Sequence, residues 1–132
     1  MRMFLFVLAL LSRAAWADDF PARQGLKDFR APMEAIVKEA AKGPAAELTV
    51  IAAACKEAGT AWQQVSGATL DLDKYNIPAD RQDEVRRQMR LMAMLMSYLD
   101  EGVKKNNRGL LLRTAEVLPE AYEKLATSLG AR

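Results

Sequence analysis

Between Pro78 and Lys105 the apolar residues Val85, Met89, Met92, Met96, Leu99 and Val103 recur at alternating steps of four and three. On a helix of 3.6 residues per turn that spacing draws one stripe down one face, whereas a strand, with its period of two, would scatter the same residues over both sides. A stripe this narrow is buried only by other helices. The stretch therefore predicts an all-α protein built as an antiparallel four-helix bundle.

Three more segments carry the same alternation. Asp28 caps an expected first helix through Lys42, with Leu26, Phe29, Met33, Ile36 and Ala40 on its apolar face and Pro32 in its first turn, where a missing N–H is tolerable. Gly43 and Pro44 end that helix and start a second, running to about Val65, with Leu48, Ile51, Cys55, Ala58, Trp62 and Val65 on its seam. Its middle is rich in small residues (Ala52, Ala53, Ala54, Gly59, Ala61), which lets a neighbouring helix, or something bulky and flat, come close. A fourth helix from Gly109 to Leu129 has Leu111, Ala115, Leu118, Tyr122, Leu125 and Leu129 in register. Pro119 falls in its middle and should kink or interrupt it, at about 3 kcal/mol in a regular helix.

The connections also have a reading. Gly43-Pro44 and Asn106 to Gly109 are short joints between antiparallel neighbours. Ser66 to Ile77 loses the periodicity, and its length suits a crossover along the bundle between helices two and three. Asp71, Asp73 and Asn76 lack the glycine and the final glutamate of a calcium loop.

Residues 1–17 read differently: Arg2, an unbroken apolar run from Phe4 to Leu11, and Ala15-Trp16-Ala17 have the form of a secretory signal cleaved after Ala17. The run is far short of the roughly 20 residues a transmembrane helix needs. The expected organisation is a signal peptide over 1–17 and a bundle domain over 18–132, exported to the periplasm, with no membrane span after cleavage. Removing Arg2 and Arg13 leaves 17 basic and 17 acidic residues. That balance gives no sustained positive patch for nucleic acid or an anionic membrane. Arg81, Arg86, Arg87 and Arg90 are interleaved with Asp80, Asp83 and Glu84, as expected of a solvated, mutually paired face.

Candidate chemistry is sparse. The chain has no histidine, so the commonest general base is missing, and no Ser/Lys or paired-carboxylate arrangement stands out. An enzyme is not expected. Cys55 is the sole cysteine, which excludes an internal disulfide. Cys55, Met89, Met92 and Met96 are soft donors that would suit Cu(I), although all four occupy seam positions where a bundle needs apolar volume, as Met and free Cys supply. Met94 points away from the seam. Trp62, Tyr98 and Tyr122, at helical spacing, read as core aromatics.

Four amphipathic helices, a short first joint, a long middle connection and an exported chain of this length resemble the periplasmic four-helix cytochromes of the cytochrome c prime and soluble b-type families. Arg30-Ala31-Pro32-Met33 resembles their first-helix Arg-x-x-Met segment, and Ala121-Tyr122 resembles the stretch that precedes the ligand histidine in the b-type members. The resemblance implies Met33 as an axial haem ligand position. The chain departs from the pattern at Glu123, where the histidine would stand, and it has no two-cysteine attachment motif. The expectation is a cofactor-free, non-catalytic binding or accessory protein on a cytochrome-like scaffold, with a periplasmic protein or a small ligand as partner. The alternatives are haem b with atypical ligation in electron transfer, or Cu(I) in the Met/Cys bundle. A homodimer remains open.

Overall fold

The structure is a computed structural model and describes residues 21–67 and 72–131. The expected leader, residues 1–17, lies outside the described residues, as does Asp71. Among the described residues there are four helices, α1 (Pro21–Ala40), α2 (Leu48–Ser66), α3 (Ala79–Lys104) and α4 (Arg108–Leu129), with a 3-10 turn, Gly43–Ala45, between the first two. They pack as a ring in which α1 touches α2 and α4, and α3 touches α4 and α2.

Contacts at the two ends fix the directions. At one end Gly25 of α1 lies against Val65 and Ala61 of α2. There too the Arg23 guanidinium donates to the carbonyl of Leu129 and sits 4.8 Å over the Tyr75 ring. At the other end Arg108 donates to the carbonyl of Ala46, and Gly102 lies against Leu111. Each helix is therefore antiparallel to the next.

That arrangement corrects the expected path of the middle connection: its described part, residues 72–78, stays at one end of the bundle instead of running its length. Leu72, Tyr75 and Ile77 are buried and close one end of the core. The turn that holds them is knitted by Tyr75 N–H and Ile77 N–H donating to the Leu72 carbonyl, with Asn76 in the left-handed region at φ 57°. Gln82 of α3 donates to Asp73 and to the Ile77 carbonyl. The extra length makes a plug.

The core consists of the predicted stripes with local revisions. All six seam residues of α4 are buried, as are Leu26, Phe29, Met33 and Ile36 of α1. Full burial of each large side chain contributes roughly 1.5–3 kcal/mol. Asp28 is not a cap: it lies inside α1 and accepts from Gln24 one turn earlier. The apolar face continues back through Ala22 and Gly25, residues too small to register as a hydrophobic signal, and Pro32 consequently falls in mid-helix instead of the first turn. Pro44 belongs to the 3-10 turn, and α2 starts at Leu48. Its first turn is served by Glu39, whose Oε2 accepts from the Glu47 N–H at 3.0 Å while Oε1 is 3.0 Å from Lys42 Nζ.

On α3 the buried line is Val85, Met92, Leu95, Leu99 and Gly102, with Met89, Met96 and Val103 only half-buried. Leu48 and Cys55 of α2 are half-buried as well, and Tyr98 is exposed instead of forming part of the core. α4 runs through Pro119 without interruption, held at its start by Asn107 accepting from Leu110 N–H and at its end by left-handed Gly130. No helix among the described residues is long and apolar enough to cross a membrane.

Candidate functional site

Of the four seams of the ring, the one between α2 and α3 closes least. The reason is side-chain size: α2 presents Ala52, Cys55 and Gly59 there, and α3 presents Ala93 and Ser97. Antiparallel helices whose facing positions are this small leave a groove of about 580 Å³, in which Trp62 and Leu99 are the large apolar elements and Met96 and Val103 line the α3 side. Both of these aromatic and aliphatic side chains are buried, so the deeper part of the groove is set by the core itself.

Two opposite charges line it. Asp100 on α3 is already engaged by Lys104, Oδ2 to Nζ at 2.8 Å. Lys56 on α2 makes no ion pair with a carboxylate among the described residues. The local balance of Lys56, Asp100 and Lys104 is positive by one charge. Thr60, Gln63 and Ser97 add hydroxyl and amide groups. Burial raises the pKa of the Cys55 thiol to about 11, helped by the nearby Asp100 carboxylate, so the sulfur is a neutral SH at physiological pH. A shallow apolar trough with the Lys56 ammonium on its wall can hold an elongated or flat molecule and one negative group.

The sulfur residues separate. Cys55 and Met96 line the same groove, Met92 is fully enclosed in the core, and Met89 is half-buried away from the groove lining. Two of the four soft donors are thus brought together, one of them as a protonated thiol. Among the described residues no three His, Cys, Asp or Glu side chains form a metal-sized cluster.

The haem position implied by the cytochrome resemblance is occupied by protein. Met33 is buried in α1. One turn earlier, Phe29 stacks on Tyr122 with ring centroids 5.6 Å apart and planes 14° from parallel. The Tyr122 hydroxyl is committed to the Leu26 carbonyl, and Glu123 is ion-paired to Arg30 at 3.1 Å. Glu123 turns towards that exposed pair, so these residues do not fit an axially ligated haem at this place.

Sequence periodicity identified the small residues of α2 but missed Lys56, Asp100 and the α3 wall. The available signal was the pair Ala93 and Ser97, small residues four apart on α3 opposite the small face of α2. A second hollow of about 310 Å³ lies at the bundle end, lined by Tyr75, Asn76, Arg81, Glu84 and Gln88 with Thr127 and Ser128. Its lining is polar, and Glu84 there is tied to Arg87. Comparison with known proteins gives no further guide: no protein-family model, curated protein or solved structure matches this chain.

Proposed function

We propose that the protein is an exported, non-catalytic binding protein whose α2–α3 groove holds a small, largely apolar molecule bearing one anionic group. The observation that carries this reading is Lys56, which makes no ion pair with a carboxylate among the described residues, on the wall of an apolar trough of about 580 Å³. Apolar lining with a few polar groups is the usual composition of a small-molecule site. A cation fixed on such a wall orients an anionic ligand while the apolar body displaces water from the half-buried Met96 and Val103. The ligand is carried and released unchanged: the Asp100 carboxylate is engaged by Lys104 and the Cys55 thiol is held protonated.

Titration with anilinonaphthalene sulfonate, a flat apolar anion, tests this. Trp62, the sole tryptophan once the leader is removed, reports occupancy by energy transfer to the dye. The expected result is saturable one-to-one binding that weakens about tenfold in Lys56→Glu, since reversing a charge at an exposed ion pair shifts binding by about 1.4 kcal/mol. Ala93→Trp fills the groove and abolishes binding. The uncharged analogue N-phenylnaphthylamine binds more weakly and is insensitive to Lys56→Glu. Dye binding that neither substitution changes would overturn the assignment.

A further inference from the structure

A second stripe with three-four spacing runs along α3, on the solvent side. Glu84, Arg87, Leu91, Met94, Tyr98, Glu101 and Lys105 follow one another at steps of three, four, three, four, three and four, and all are exposed. The stripe lies one residue back from the buried line of Val85, Met92, Leu95, Leu99 and Gly102, which is about 100° around the helix. Its middle is apolar: Leu91 is 40% exposed, Met94 44% and Tyr98 38%. Single exposed hydrophobic residues are ordinary on a protein surface, but three in succession at seam spacing form a surface that another helix would bury.

The charges identify that helix. Read from Glu84, the stripe runs negative, positive, three apolar residues, negative, positive. Reversed and laid against itself about Met94, it sets Glu84 opposite Lys105, Arg87 opposite Glu101, Leu91 opposite Tyr98, and Met94 opposite Met94. Every charged position then faces its opposite. A parallel alignment would instead place like charges together at all four charged positions. Within one chain the same groups already pair, Arg87 Nε to Glu84 Oε2 at 3.1 Å and Lys105 Nζ to Glu101 Oε1 at 2.7 Å, so each copy would present two ordered, neutral pairs to their mirror order on the other.

We infer that two copies of this chain associate through α3, antiparallel about a two-fold axis at Met94. The contact is isologous, as a two-fold requires, and closes on itself without leading to a fibre. The stripe is about 30 Å long. A single helix pair of that length belongs at the small end of protein interfaces, so the dimer is concentration-dependent. The groove residues of α3, namely Ala93, Met96, Ser97, Asp100 and Val103, lie on its other flank, so dimerisation leaves both grooves open.

Sedimentation equilibrium of the purified protein from micromolar to millimolar concentration tests the contact. The expected result is a monomer–dimer equilibrium. Met94→Glu places two carboxylates at the axis and raises the dissociation constant at least tenfold. Glu101→Arg weakens the dimer by facing Arg87 of the other copy, and Arg87→Glu/Glu101→Arg restores it, which a merely hydrophobic or misfolded association would not do. All these positions are exposed, so unchanged melting temperatures show that the fold is kept. In a Cys55→Ser background, Met94→Cys forms a chain-to-chain disulfide on oxidation. A protein that is monomeric across the range, a dimer indifferent to Met94→Glu, or a charge exchange that fails to restore association would overturn the proposal.

Discussion

The Tyr122 hydroxyl donates a 2.7 Å hydrogen bond to the carbonyl of Leu26, joining α4 to α1 across 96 residues of chain. Phe29 stacks on the same ring and the Arg30 guanidinium lies 5.2 Å over it, so one phenol collects a hydrogen bond, a ring contact and a cation. Both flanking helices carry a mid-helix proline, Pro32 and Pro119, each of which removes a backbone hydrogen bond. Packing of this kind is what holds the two helices continuous through those positions.

Tyr122→Phe keeps the stacking and removes only the donor. It should cost about 1 to 2 kcal/mol, because a buried hydrogen bond is lost and an acceptor is left less well satisfied. Arg30→Ala should cost no more than about 1 kcal/mol, since its pair with Glu123 is 40% and 38% exposed and screened by solvent. Urea denaturation of the two variants gives the ordering, and a larger loss in Arg30→Ala would contradict it.

Glycine positions separate the closed seam from the open one. A Cβ at Gly25 would lie 2.8 Å from Val65 Cγ2 and 3.0 Å from the Ala61 carbonyl oxygen, so α1 and α2 could not keep their distance. A Cβ at Gly59, in the α2–α3 groove, meets nothing within 4 Å. Gly25→Ala should destabilise by about 1 to 3 kcal/mol through overpacking. Gly59→Ala should stabilise by about 0.4 to 1 kcal/mol, because alanine costs less chain entropy in a helix. Thermal melts compare them directly.

The same contrast explains how far the sequence could be read. The α4 seam was legible residue by residue because its six positions face the middle of a closed core. Leu48, Cys55, Met89, Met96 and Val103 have equally regular spacing yet are only half-buried. Periodicity identifies the face of a helix but carries no information about how well its neighbour fills the space against it, and the small side chains at Ala52, Gly59, Ala93 and Ser97 leave the α2–α3 seam unfilled. Tyr98 was misread for a related reason. It belongs to the exposed stripe of α3, which has the same three-four period as the buried one. Lys56 stood out only once the structure showed the wall it occupies and that it makes no ion pair with a carboxylate among the described residues.

Glu39 links the fold to pH. The Glu47 N–H and the Lys42 ammonium hold its carboxyl below its ordinary value of 4.5. A carboxylate whose folded pKa is depressed contributes stability above its unfolded pKa, and that contribution is lost as pH falls through the folded one. Melting temperature should therefore drop on acidification below about pH 4.5, and Glu39→Gln should start lower and fall less steeply over the same interval. Parallel acid limbs for the two proteins would mean that the carboxylate makes no net contribution to the start of α2.

Cys55 reports on the groove directly. Its thiol pKa is raised from 9.0 to about 11 by burial and by the Asp100 carboxylate. At about pH 8 the thiolate fraction is then roughly 100-fold below that of an ordinary thiol, and the thiolate is the reacting species. Dithionitrobenzoate should label the native protein about that much more slowly than the urea-unfolded chain, while Asp100→Asn, which removes the second cause, should label faster than the parent. Because the unfolded thiol ionises first as pH rises from 9 towards 11, the folded state binds more protons in that window and stability should decline across it. Bound anilinonaphthalene sulfonate should slow labelling further, since Cys55 and Lys56 line the same groove. Labelling at the unfolded rate would put the thiol in open water, and labelling indifferent to the dye would place the ligand elsewhere.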